Sequence, residues 1–82
     1  MNIQASALLE IAGAVWRVQS RHQDTVHGQV TICYICVKGD EMGELRIFMS
    51  SRDDWQRKVF WVRERDACTL EESSVTVYAS LC

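Results

Sequence analysis

The residues best suited to chemistry are Cys33 and Cys36, because a Cys-x-x-Cys spacing serves both zinc ribbons and thioredoxin-like redox sites. Both uses need the two sulfurs to converge on a tight turn, or on a turn that enters a helix. Here the pair lies inside Val30-Thr31-Ile32-Cys33-Tyr34-Ile35-Cys36-Val37, an apolar, β-branched run without a turn-forming residue. In an extended chain that rises about 3.3 Å per residue, positions three apart point to opposite faces with α-carbons roughly 10 Å apart. The thiols therefore read as small hydrophobes, and no disulfide is expected of Cys33, Cys36, Cys68 and Cys82. On paper His22 and His27 complete a four-ligand zinc set with the two cysteines, but both fall in a polar segment read as solvated loop. No metal or other cofactor is expected.

Other catalytic arrangements find less support. None of the serines at positions 6, 20, 50, 51, 73, 74 and 80 lies in a Gly-x-Ser-x-Gly elbow, and there is no glycine loop for phosphate. Asp53 and Asp54 are adjacent, and Asp40, Glu41 and Glu44 form a second acidic group. Carboxylates do acid–base work only when burial separates their proton affinities, and acids of a hairpin loop are solvated. The expectation is a protein that is not an enzyme.

Between Arg52 and Asp66, five bases (Arg52, Arg57, Lys58, Arg63, Arg65) alternate with Trp55, Phe60 and Trp61. Cations among aromatic rings are what single-stranded nucleic-acid grooves use. Four acids in the same window (Asp53, Asp54, Glu64, Asp66) leave it one unit positive, and the chain as a whole carries −2. Electrostatics dominates nucleic-acid affinity and is weak here, so protein binding leads. Trp, Tyr, Phe, Met and Arg are the residues enriched at interface centres.

The expected function is thus a small non-catalytic protein-binding module of the adaptor or inhibitor type, a class that includes proteins carried by phages and mobile elements. Its expected contacts are Trp55, Arg57, Trp61 and Arg63, with Asp40, Glu41 and Glu44 meeting a basic partner. The alternatives are a nucleic-acid-binding small barrel that uses residues 52–65, and a structural subunit that forms homo-oligomers through edge strands such as Leu45 to Met49 or Val75 to Ser80.

The elements that must position these residues follow from periodicity. The run Val30 to Val37 is apolar on both faces, which suits a strand covered on both sides. Leu45, Ile47 and Met49 alternate with Glu44, Arg46 and Phe48, a strand with one wet face. The segment between them, with Gly39 and Gly43, predicts a hairpin loop of four to six residues. Ile3, Ala7, Leu8, Ile11 and Ala12 recur at helical spacing, with Gly13 as the stop. Ala14 to Arg21 reads as a strand, His22 to Gly28 as a polar connection, Asp66 to Ser74 as a loop or single helical turn, and Ser74 to Ser80 as a strand. For residues 52–65 two readings compete: Ser51 and Asp54 resemble a helix capping box, whereas the run Val59-Phe60-Trp61-Val62 favours a strand from about Lys58 to Arg65.

The resulting expectation is an α+β fold, an N-terminal helix packed on a mostly antiparallel sheet of four to five strands, or a small barrel plugged by the helix. At 82 residues, 48% hydrophobic and 24% charged, the chain should form one globular domain, 1–82. Met1 to Trp16 lacks the basic residues of a signal peptide, and no apolar run nears the ~20 residues that span a bilayer. A soluble, cytoplasmic protein without membrane contact is expected.

Overall fold

The computed structural model of the protein describes residues 3–26, 28–49 and 58–80. Trp55, Arg57 and the other residues between 50 and 57 lie outside that range. Seven strands follow one another: β1 (Ala7–Ile11), β2 (Ala14–Val26), β3 (Gln29–Lys38), β4 (Glu41–Met49), β5 (Lys58–Arg63), β6 (Asp66–Leu70) and β7 (Val75–Ser80), the last preceded by a 3-10 turn at Glu72–Ser74. They form one antiparallel sheet in the order β6-β5-β4-β3-β2-β1-β7, curled into a half-barrel. The chain meanders from β1 to β6 and then returns to lay β7 beside β1, so β6 and β7 are the sheet's two edges.

This corrects the expected α+β class: the N-terminal segment is a strand, and no α-helix occurs among the described residues. Two periods compete in that segment. Helical spacing collects Ile3, Ala7 and Ile11 but sends Leu9 to the far side, whereas a strand puts Ala7, Leu9 and Ile11 on one face. Leu9 decides the matter, because it is fully buried and pairs with Trp16 of β2 on one flank and Val77 of β7 on the other. An isolated helix of this length is marginal in water, while strand pairing on both sides satisfies the backbone and buries all three side chains. Gly13 supplies positive φ as expected, but to a hairpin. Ala12 (φ 49°) and Gly13 (φ 85°) are the central residues of a two-residue turn closed by the Ile11–Ala14 pair, the conformation a type I′ turn requires.

Three further expectations shift. His22 to Val26 is strand and not loop: β2 continues to Val26 and pairs with β3, because ladder bonds need backbone and not apolar side chains. The β3–β4 loop is two residues long, Gly39-Asp40, closed by the Lys38–Glu41 pair, with Gly39 at φ 58°. Asp66 to Leu70 forms the edge strand β6, and its polar character reflects an exposed edge that pairs with β5 alone.

The core lies on the concave face. Trp16 of β2 and Trp61 of β5 meet edge to face with ring centroids 4.8 Å apart. Two strands separate them, about 14 Å in a flat sheet, so the contact depends on the curl. Between them β4 carries Gly43, where a Cβ atom would overlap the six-membered ring of Trp61. Leu9, Tyr34, Cys36, Leu45 and Val59 are among the side chains packed around them. On the convex face β3, the middle strand, buries Thr31 and Cys33, and Phe48 and Phe60 stack edge to face at 5.1 Å. No described helix is long and apolar enough to cross a membrane.

Candidate functional site

The antiparallel meander places the Gly39-Asp40 turn and the Glu64-Arg65 turn at the same end of the sheet. Glu64 enters its turn with φ 54°, and the Arg63–Asp66 pair closes it. Between the two turns lies a cleft of about 430 Å³ lined by Asp40, Glu41, Met42, Arg63, Glu64 and Asp66. Three of the expected contact residues, Asp40, Glu41 and Arg63, thereby come together from separate stretches of sequence.

Arg63 is the hinge of this arrangement. Its guanidinium pairs with Glu41 and sits 5.9 Å over the ring of Trp16, while Lys38 Nζ lies 6.0 Å from the same ring. The cations thus close the end of the core through ring contact and hold the rim to a rigid base. Asp40, Glu64 and Asp66 form no ion pair among the described residues, and Met42 stands beside them 56% exposed. The rim is a net acidic surface around one apolar side chain.

The other expected contacts are placed differently. Trp61 is 7% exposed and supports the core instead of offering a free ring. Phe60 of the basic–aromatic stretch is half-buried against Phe48. Glu44 turns to the convex face, 3.0 Å from Arg46 and 3.9 Å from His22. Trp55 and Arg57 lie outside the described residues.

The two central thiols face opposite sides of the sheet. Cys36 is fully buried in the concave core, where its thiol donates to the Tyr34 carbonyl at 3.7 Å and burial pushes its pKa from 9.0 up to about 12. Cys33 is buried on the convex face, and burial first, then its hydrogen bond and charge repulsion with Glu44, push it up to about 11, against the opposing pull of Arg46. The paper set of Cys33, Cys36, His22 and His27 is therefore not gathered: Cys36 faces away, and His27 lies outside the described residues. What the sheet does gather is His22, Cys33 and Glu44, from β2, β3 and β4, with potential ligand atoms within 4.8 Å of one another. Glu44 was missed as a neighbour of Cys33 because the expected loop of four to six residues gives the wrong register. A two-residue turn at Gly39-Asp40 would have placed Cys33 opposite Arg46, with Glu44 on the adjoining diagonal.

Thiols held protonated are poor nucleophiles. Treatment of the native protein with a thiol-alkylating reagent at pH 8 should modify the exposed Cys68 and spare Cys33 and Cys36, as read by peptide mass mapping; rapid loss of the free Cys36 peptide would contradict the burial. The raised values also set a pH dependence. Below pH about 9 the folded and unfolded chains both keep these protons, whereas above it the unfolded chain ionises and the folded one resists until about 11 to 12. The unfolded state then binds fewer protons, so stability falls as pH rises through that window. Urea midpoints should decline between pH 8.5 and 10.5, and a Cys36→Ala variant should show a shallower decline.

Compared with protein-family models, with curated proteins and with solved structures, the chain matches none.

Proposed function

We propose that this protein is a non-catalytic binding module whose rim, built from the β3–β4 and β5–β6 turns, docks a protein partner that presents lysine or arginine side chains around an apolar contact. The observation that carries this reading is the cleft in which Asp40, Glu64 and Asp66, without ion pairs among the described residues, surround the exposed Met42. Complementary charge speeds encounter and fixes register, while an apolar side chain at the centre supplies burial. The anchoring of Arg63 and Lys38 on Trp16 favours the same reading, since a rim that is already ordered loses less entropy on binding. The raised pKa values of Cys33 and Cys36 argue against either of these two thiols as a nucleophile at neutral pH.

Affinity capture from the native host should be run in parallel with the wild type and with an Asp40→Lys/Asp66→Lys variant. Both positions are exposed, so the variant should fold normally. A partner retained by the wild type should be lost or weakened in the variant, and its capture should fall with salt. Capture of the same proteins by both would refute the rim. Single-stranded DNA or RNA should not be retained at low salt; retention that weakens steeply with salt would favour the nucleic-acid alternative instead.

A second reading is favoured by the edge strand β7, which leaves Val77 and Tyr78 41% and 43% exposed. Assembly through that edge predicts a defined oligomer in light scattering, and a monomer at micromolar concentration would remove it.

A further inference from the structure

We propose that His22, Cys33 and Glu44 form a binding site for a borderline-soft divalent cation, zinc in first place, with a fourth position left to water. The three residues sit on adjacent strands of the convex face, His22 directly opposite Cys33 in the β2–β3 ladder and Glu44 on the neighbouring diagonal of β4. Imidazole nitrogen, thiolate sulfur and carboxylate oxygen are the donors that zinc takes, and a set containing sulfur does not suit magnesium or calcium, which take oxygen.

Geometry carries the assignment. The potential ligand atoms already lie within 4.8 Å of one another. Tetrahedral zinc with bonds of about 2.0–2.3 Å spaces its ligand atoms roughly 3.5 Å apart, so the set needs to contract by about 1 Å. Side-chain rotation supplies that without a backbone shift, because Cys33 is fixed in the central strand while the His22 side chain is 50% exposed and free to swing inward.

The surroundings fit the same role. Arg46 holds Glu44 Oε2 at 3.0 Å and leaves Oε1 toward His22, at 3.9 Å. An outer partner that orients a ligating carboxylate in this way is a recurrent feature of metal sites. Thiolate and carboxylate together neutralise a divalent ion, and the charge of Asp24, which also acts on Cys33 and Arg46, offsets that of Arg46. On binding, the Cys33 proton leaves to solvent and the sulfur lone pair forms the metal bond, with no change of oxidation state. The bound ion would tie β2, β3 and β4 together at the middle of the sheet.

The test uses the full chain purified without chelator and titrated with Zn2+ by calorimetry and with Co2+ by absorption. One ion should bind per chain, Co2+ should give a thiolate-to-cobalt charge-transfer band, and Zn2+ should raise Tm. His22→Ala, at an exposed position that leaves the fold intact, should weaken binding at least about tenfold, and Cys33→Ser should abolish the band. Cys68→Ser should leave both unchanged. Absence of stoichiometric binding would overturn the site, as would a band that survives Cys33→Ser or disappears with Cys68→Ser, or an affinity unaffected by His22→Ala.

Discussion

Trp16→Ala is expected to remove about 3–5 kcal/mol of folding stability, the usual loss when a buried large aromatic is truncated. At roughly 0.05–0.15 kcal/mol per residue, a chain of 82 residues has about 4–12 kcal/mol in total, so this one truncation removes a large share of the whole. The size of the effect follows from what meets at this side chain. Trp16 is 2% exposed, packs on Trp61 across two intervening strands, and carries the Lys38 and Arg63 cations over its ring. Its removal takes away the contact that bridges the concave face and the platform under the acidic rim. Trp16→Phe, which keeps an apolar ring, should lose much less. Urea unfolding followed by far-UV circular dichroism measures both, and an alanine variant within about 1 kcal/mol of wild type would show that the curl does not depend on the tryptophan pair.

Gly43→Ala is the second large effect, from a single added carbon. That carbon would occupy the space of the Trp61 six-membered ring, a rigid group packed against Trp16 that cannot step aside as a flexible chain end could. Overpacking of this kind costs about 1–3 kcal/mol, which for a domain of this size lowers Tm by roughly 4–8 °C per kcal/mol. The origin can be isolated by a double-mutant cycle. In a Trp61→Leu background the alanine should be nearly neutral, giving a coupling of about 0.5–3 kcal/mol. Equal effects in the two backgrounds would mean that the glycine serves its own backbone and not the ring.

The position of Gly43 also shows where sequence reasoning reaches its limit. In the sequence it looks like the second glycine of a long hairpin loop. In the fold it is a strand residue whose missing side chain leaves room for an indole from the next strand, a requirement set by Trp61, eighteen positions away. Leu9 makes the same point for secondary structure. Its neighbours recur at helical spacing, and only burial between Trp16 and Val77 makes the two-residue period win. The acidic rim was half legible: Asp40 and Glu41 stood out as an acidic loop and Arg63 as a basic contact, but their meeting depends on two tight turns lying side by side. The cluster of His22, Cys33 and Glu44 was hidden for a related reason, since a cross-strand neighbour is known only once the register is.

The sequence by itself determined that Val30 to Val37 is a central strand with its two thiols on opposite faces, that antiparallel strands surround it, and that Gly13 and Gly39 take positive φ. These are local properties, written in alternation and in the freedom of glycine to take positive φ. Tertiary structure decided the rest: that the N-terminus is a strand and not a helix, that β7 returns to pair with β1, and that the sheet curls until two tryptophans touch. Each of these depends on which distant strand completes the hydrogen bonds and covers the apolar face, and that choice is made by the energy of the whole sheet.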